Sequence, residues 1–169
     1  YKEKPLDGNW FAKEFILHLL KMRFIFDKYI IKREFRGDSS EGEWSLQTLN
    51  VSGQGSNKKA YFTKTSFLEY GQWSKYNDYR HNDNLMIQAA LRVSYTSPKV
   101  MHWITKLLLW LEKEENRDSL NSCCEVAEQI AQESIRENFF NACTDGNYRL
   151  GVGTPHIVFN YLDYLIWKT

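Results

Sequence analysis

Between Trp10 and Arg33 apolar side chains return every three or four residues, at Phe11, Phe15, Ile16, Leu19, Leu20, Met22, Phe24, Phe26, Ile30 and Ile31. That period belongs to an α-helix and not to a strand. Asn9 is a fair N-cap for it, and Gly37 is the first strong stop beyond it. The apolar face is broad, so the spacing predicts a helix in the middle of a bundle. A chain that opens in this way must find several further helices to cover it.

The later sequence supplies them. Asn82 or Asp83 can cap a helix over Asn84 to Val93. Ser97-Pro98 and Thr154-Pro155 each place a capping hydroxyl before a proline that suits a first helical position. After Ser97-Pro98 comes an apolar helix through Leu111, closed by the charged run Glu112 to Arg117. A further helix is expected from Ser119 to Ala142, stopped by Thr144-Asp145-Gly146-Asn147. The last runs from Ile157 to Trp167.

The segment between the first two helices reads differently. Residues 36–42 form a solvated turn, and Trp44 to Leu49 can be a short strand or a helical turn. Residues 51–59 read as a flexible loop. Residues 61–80 mix Tyr61, Phe62, Phe67, Tyr70, Trp73, Tyr76 and Tyr79 with polar residues, and a connection this long needs order from its own side chains or a partner. The expected fold is therefore mainly α: an irregular bundle of about five helices with one long aromatic-rich loop, and little or no strand, confined to residues 43–64. At 169 residues the chain fits a single helical domain, 1–169. Its polar, Met-less start and its close just after an apolar helix suggest an excised piece of a longer protein. A processed whole chain is the alternative.

Composition then narrows the function classes. With 43% hydrophobic and 15% aromatic residues the chain is neither disordered nor collagen-like. Its net charge of +1 excludes a globally basic nucleic-acid binder. The +1 is a cancellation. Lys21, Arg23, Lys28, Lys32, Arg33 and Arg36 face only Asp27 and Glu34 and give that stretch +4, whereas residues 112–145 net −6. The six basic residues could touch phosphates, or form a solvated helix face matched to the acidic helix; the second is favoured. No secretory signal and no span of bilayer length is visible. Cys123, Cys124 and Cys143 form no disulfide framework, so a reducing cytoplasm is expected.

No complete catalytic motif is present. His18, His81, His102 and His156 lack metal-ligand spacing, so neither a zinc site nor a cofactor is expected. His81 with Asp83 is the best acid–base candidate. The cysteines lie near acids, which raise a thiol pKa, and read as structural. Gly53-Gln54-Gly55-Ser56-Asn57-Lys58-Lys59 fails the phosphate-loop pattern. The aromatics of 61–79, interleaved with Lys64, Lys75 and Arg80, could stack bases, but packing is the favoured role.

Four segments carry a resemblance. They are Phe24 to Phe35, Glu43-Trp44-Ser45-Leu46, Leu91 to Lys99, and Thr154 to Trp167. Together they resemble the helical middle region of GmrSD-type (type IV, modification-dependent) restriction proteins. The resemblance implies NTP-dependent cleavage of foreign or modified DNA by the whole protein. It places this chain between a ParB-like nucleotide-binding domain and an HNH-like nuclease domain. No nuclease motif occurs here. Asp145-Gly146-Asn147-Tyr148-Arg149 shares only the frame of the family's Asp-Gly-Gln-Gln-Arg motif and reads as a helix stop. No catalytic residue is carried over. The expectation is a non-catalytic scaffold or coupling domain whose partners are the flanking domains of its own parent chain, with DNA or a second copy as further candidates and no membrane. The alternatives are a stand-alone nucleic-acid-binding module using the six basic residues, and a hydrolase with a site near His81 and Asp83.

Overall fold

The computed structural model of the protein describes residues 8–34, 43–64, 75–113, 120–143, 148 and 150–169. The fold is mainly α, with five α-helices and two short antiparallel two-stranded sheets among the described residues. Helix α1 (Gly8–Tyr29) is followed by strands β1 (Lys32–Glu34), β2 (Glu43–Ser45), β3 (Gln47–Ser52) and β4 (Lys59–Lys64). Helices α2 (Lys75–Ser94), α3 (His102–Glu112), α4 (Leu120–Ile135) and α5 (His156–Lys168) complete it.

Helix α2 packs against α4 and α5, and α3 against α1 and α4. The periodicity explains the core. Trp103, Leu107 and Leu111, four apart on α3, are buried together, with Ile87 and Leu91 from α2 and Ile157, Tyr161 and Tyr164 from α5. On α4 the fully buried positions are small: Cys123, Ala127 and Ala131, again four apart. Small side chains along one stripe leave room for a neighbouring helix to lie close. Each fully buried leucine contributes about 2–3 kcal/mol of transfer free energy.

Several expected boundaries move. Helix α1 ends at Tyr29, not Arg33, and residues 32–34 form a strand outside the 43–64 region expected to hold all strand. The cause lies in α2. Buried Gln88 donates from Nε2 to the Tyr29 carbonyl at 2.9 Å and accepts from the Ile31 amide at 3.1 Å. It pairs one of the carbonyls left open at the end of the helix and the amide of the chain just beyond it. β1 then pairs with β2, placing Arg33 opposite Trp44.

Helix α1 is also not central. Its buried residues are Ile25 and Tyr29 alone, while Trp10, Phe11, Phe15, Leu17, Leu20 and Phe24 are each more than half exposed. Among the described residues it packs against α3 and β3, and its buried residues lie in its C-terminal part. The expected long loop is in part a hairpin: β3 and β4 pair from Gln47↔Lys64 to Ser52↔Lys59. Helix α2 begins at Lys75, well before the expected Asn84. The expected final stretch of the fourth helix is a π-helical turn, Arg136–Phe140, in which the Asn141 amide reaches back to the Arg136 carbonyl at 2.9 Å. Ser97-Pro98 opens a short 3-10 turn before α3, and Pro155 takes the cap position of α5.

Candidate functional site

A cluster of titratable groups lies between α4 and α5. Glu128 sits one helical turn after Cys124 on α4, and Lys168 one turn after Tyr164 on α5, so two spacings of four bring four functional side chains to one seam. Glu128 Oε1 accepts a hydrogen bond from the Tyr164 hydroxyl, and one from Lys168 Nζ at 2.6 Å. Cys124 Sγ lies 3.8 Å from the Tyr164 hydroxyl and 3.9 Å from Glu128 Oε1.

Burial dominates the electrostatics of this seam. Burial, opposed by the hydrogen bond to Tyr164 and reinforced by the Glu128 charge, pushes the Cys124 thiol up to about 11. Burial, with Cys124 beside it, pushes the Cys123 thiol up to about 12. Burial first, and then the bond to Glu128, raises Tyr164. The bond to Glu128 raises Lys168. At neutral pH both thiols are protonated and unreactive, because the thiolate is the nucleophile. The seam is a polar clasp holding two helices together.

The histidines do not converge. His18 Nδ1 lies 3.4 Å from Glu112 Oε1, an atom that Lys21 Nζ approaches to 3.6 Å. His102 and His156 are exposed at the first positions of α3 and α5. His81 falls on α2, but its side chain lies outside the described residues; Asp83 is half-buried. Among the described residues no three metal-ligating side chains cluster. No described helix is long and apolar enough to cross a membrane.

The glycine-rich loop has a backbone reason. It forms the β3–β4 turn, where Gly53 has φ +96° and a Cβ would stand 2.4 Å from the Asn57 carbonyl oxygen. Only glycine fits there without a shift of the turn. Of the Asp145 to Arg149 frame only Tyr148 is described, and its ring lies 5.7 Å from that of Phe139 and 5.8 Å from that of Phe140.

The six basic candidates separate. Arg36 lies outside the described residues. Lys21 meets Glu112 of the acidic stretch, and Arg23 Nε meets Asp27 Oδ2 at 2.7 Å. Lys28 is exposed, with its ammonium 5.1 Å from the Tyr29 ring centre. Lys32 lies 3.4 Å from Asp27 Oδ1, and the Arg33 guanidinium 6.0 Å from the Trp44 ring centre. Sequence reasoning missed Gln88, Glu128, Tyr164 and Lys168. Asn84 and Gln88, two amides four apart on an apolar face, were the readable signal for the first of these.

No family model matches the chain, and neither a curated protein nor a solved structure does.

Proposed function

We propose that this chain is a non-catalytic helical scaffold, coupling the nucleotide-binding and nuclease parts of a GmrSD-like restriction protein. The observation that carries the reading is α1. Its N-terminal half exposes Trp10, Phe11, Phe15, Ile16 and Leu17, while Ile25 and Tyr29 near its C-terminal end belong to the core. An exposed apolar patch of this kind marks a protein contact surface. The inert thiols and the self-contained Glu128 clasp support the absence of chemistry in this part of the protein.

The test is activity of the chain alone. Purified protein is expected to hydrolyse NTP and cut DNA no faster than a mock preparation. Turnover clearly above mock, and lost in His81→Ala, would transfer the reading to the hydrolase alternative.

A second reading rests on Lys28 and Arg33, two exposed cations beside aromatic rings. In it the chain contacts DNA through phosphates. Salt-dependent DNA binding that weakens when Lys28, Lys32 and Arg33 become Ala is its signature. Equal binding by parent and variant removes it.

A further inference from the structure

Between Trp10 and Phe24 eight large apolar residues of α1 are at least half exposed. The helix is turned so that its polar side meets its own chain. His18 Nδ1 and Lys21 Nζ both approach Glu112 Oε1 on α3, at 3.4 and 3.6 Å. With about 3.6 residues per turn, Ile16 and Leu19 then lie on the side turned away from α3. Phe15 and Leu20 flank them, and all four are at least half exposed. The rings of Phe11 and Phe15 stack along the same surface, 6.1 Å between centres.

Area and composition point to the occupant. A large apolar side chain left half exposed offers roughly 100 Å², so the eight offer roughly 800 Å² together. A standard stable interface takes about 800 Å² from each partner. Interfaces between permanent copies resemble a domain core cut in half, with charge depleted at the centre. Phe15, Ile16, Leu19 and Leu20 supply such a centre. The cation nearest it on that side, Arg23, is already paired with Asp27 at 2.7 Å. A helix apolar on most of its sides is ordinarily found inside a bundle, and here the chain's own bundle does not enclose it.

We infer that this face joins a second copy of the chain, the N-terminal halves of two α1 helices packing against each other about a two-fold axis. The inference rests on the reading of α1 as a contact surface and names its occupant. A two-fold contact sets the same patch on both copies. An apolar centre then meets an apolar centre, and no charged partner surface is needed. The contact also closes at two copies, because each α1 is used up by the other.

Sedimentation equilibrium of the full chain tests this. At about 100 μM the mass should be twice the 20.1 kDa of one chain, with a dissociation constant below about 10 μM. Joint Ile16→Glu and Leu19→Glu should raise that constant at least about a hundredfold and keep the parent's circular dichroism. Should that variant fail to fold, Phe15→Ser carries the same test with a rise of about tenfold. Ile166→Glu, on the exposed apolar side of α5, should leave the pair intact. A parent chain that stays at 20.1 kDa at about 100 μM, or a folded α1 variant that pairs like the parent, removes the inference. The scaffold reading survives that result, because it turns on NTP hydrolysis and DNA cleavage; pairing together with turnover above mock would do the reverse. Loss of the pair in Ile166→Glu alone would move the contact to α5 and overturn the proposal. Growth beyond two copies would overturn it in favour of open association. A monomer that binds phosphatidylglycerol vesicles through Ile16 and Leu19 would assign the face to a lipid surface and overturn it as well.

Discussion

At the α4–α5 seam one carboxylate oxygen, Glu128 Oε1, accepts from both Tyr164 and Lys168, and the Cys124 thiol closes the group. Around Trp103 the indole N–H is buried and finds no acceptor among the described residues. Both places set polar groups against apolar side chains. They differ in whether the chain itself supplies the complementary group. Where it does, the cluster fixes the packing of helices. Where it does not, among the described residues, the donor stays buried without an acceptor. Gln88 belongs with the first kind, since both ends of its amide are bonded to backbone within the fold.

The largest expected effect is a pH response of the self-satisfied seam. Cys123, Cys124, Tyr164 and Lys168 all hold their protons more tightly folded than unfolded. The contribution of the two thiols to stability is therefore complete below pH 9.0, their ordinary value, and is lost as pH rises toward about 12, whereas that of Tyr164 and Lys168 begins to fall only above their ordinary values of 10.0 and 10.5. Urea unfolding at rising pH should show stability falling across that window. Replacing both cysteines by alanine should flatten the first part of this fall. A parent chain equally stable on both sides of the window would mean that these groups are not buried as described.

Gln88→Leu comes next. It keeps the volume but leaves the Tyr29 carbonyl and the Ile31 amide without the glutamine's bonds, so stability should drop by about 2–4 kcal/mol. Denaturant unfolding measures it. A loss below about 1 kcal/mol would mean that water or a rearranged turn satisfies those groups as well as the glutamine does.

These two cases show what was legible in the sequence. Helices α3 and α5 could be read because burial imposes the apolar period on neighbouring residues, whereas the α1 period was legible although most of its apolar residues are exposed. The end of α1 could not, because its determinant lies 57 and 59 residues away on α2. The early start of α2 was hidden by the polar run Lys75 to Asp78, which carries no apolar stripe beyond its tyrosine. The β1–β2 pair is three residues a side, too short for alternation to register. The polarised charge was visible, and one contact across it, Lys21 with Glu112, shows part of its use.

A smaller effect is expected at Lys168. Its side chain is 42% exposed, so its bond to Glu128 is weakened by solvent. Lys168→Met should cost less than about 1 kcal/mol at neutral pH. The Tyr164 bond to the same oxygen remains, so the seam should keep its shape, as thermal melting and near-ultraviolet dichroism would report. A loss of about 3 kcal/mol or more would make the lysine, not the tyrosine, the centre of the clasp.

The smallest effect distinguishes the two kinds of cluster most sharply. In Trp103→Phe two terms oppose each other. The smaller ring leaves a gap in a packed position, which costs roughly 1–2 kcal/mol. Removing a buried donor that has no partner returns a desolvation cost of about 1–3 kcal/mol. The net change in unfolding free energy should therefore fall within about 1 kcal/mol of zero, even though the residue belongs to the buried core. The same substitution at a position whose N–H is bonded within the chain would lose both terms at once. If Trp103→Phe destabilises by about 3 kcal/mol or more, the indole has an acceptor inside the fold, and Trp103 joins the Glu128 seam as part of a self-satisfied cluster.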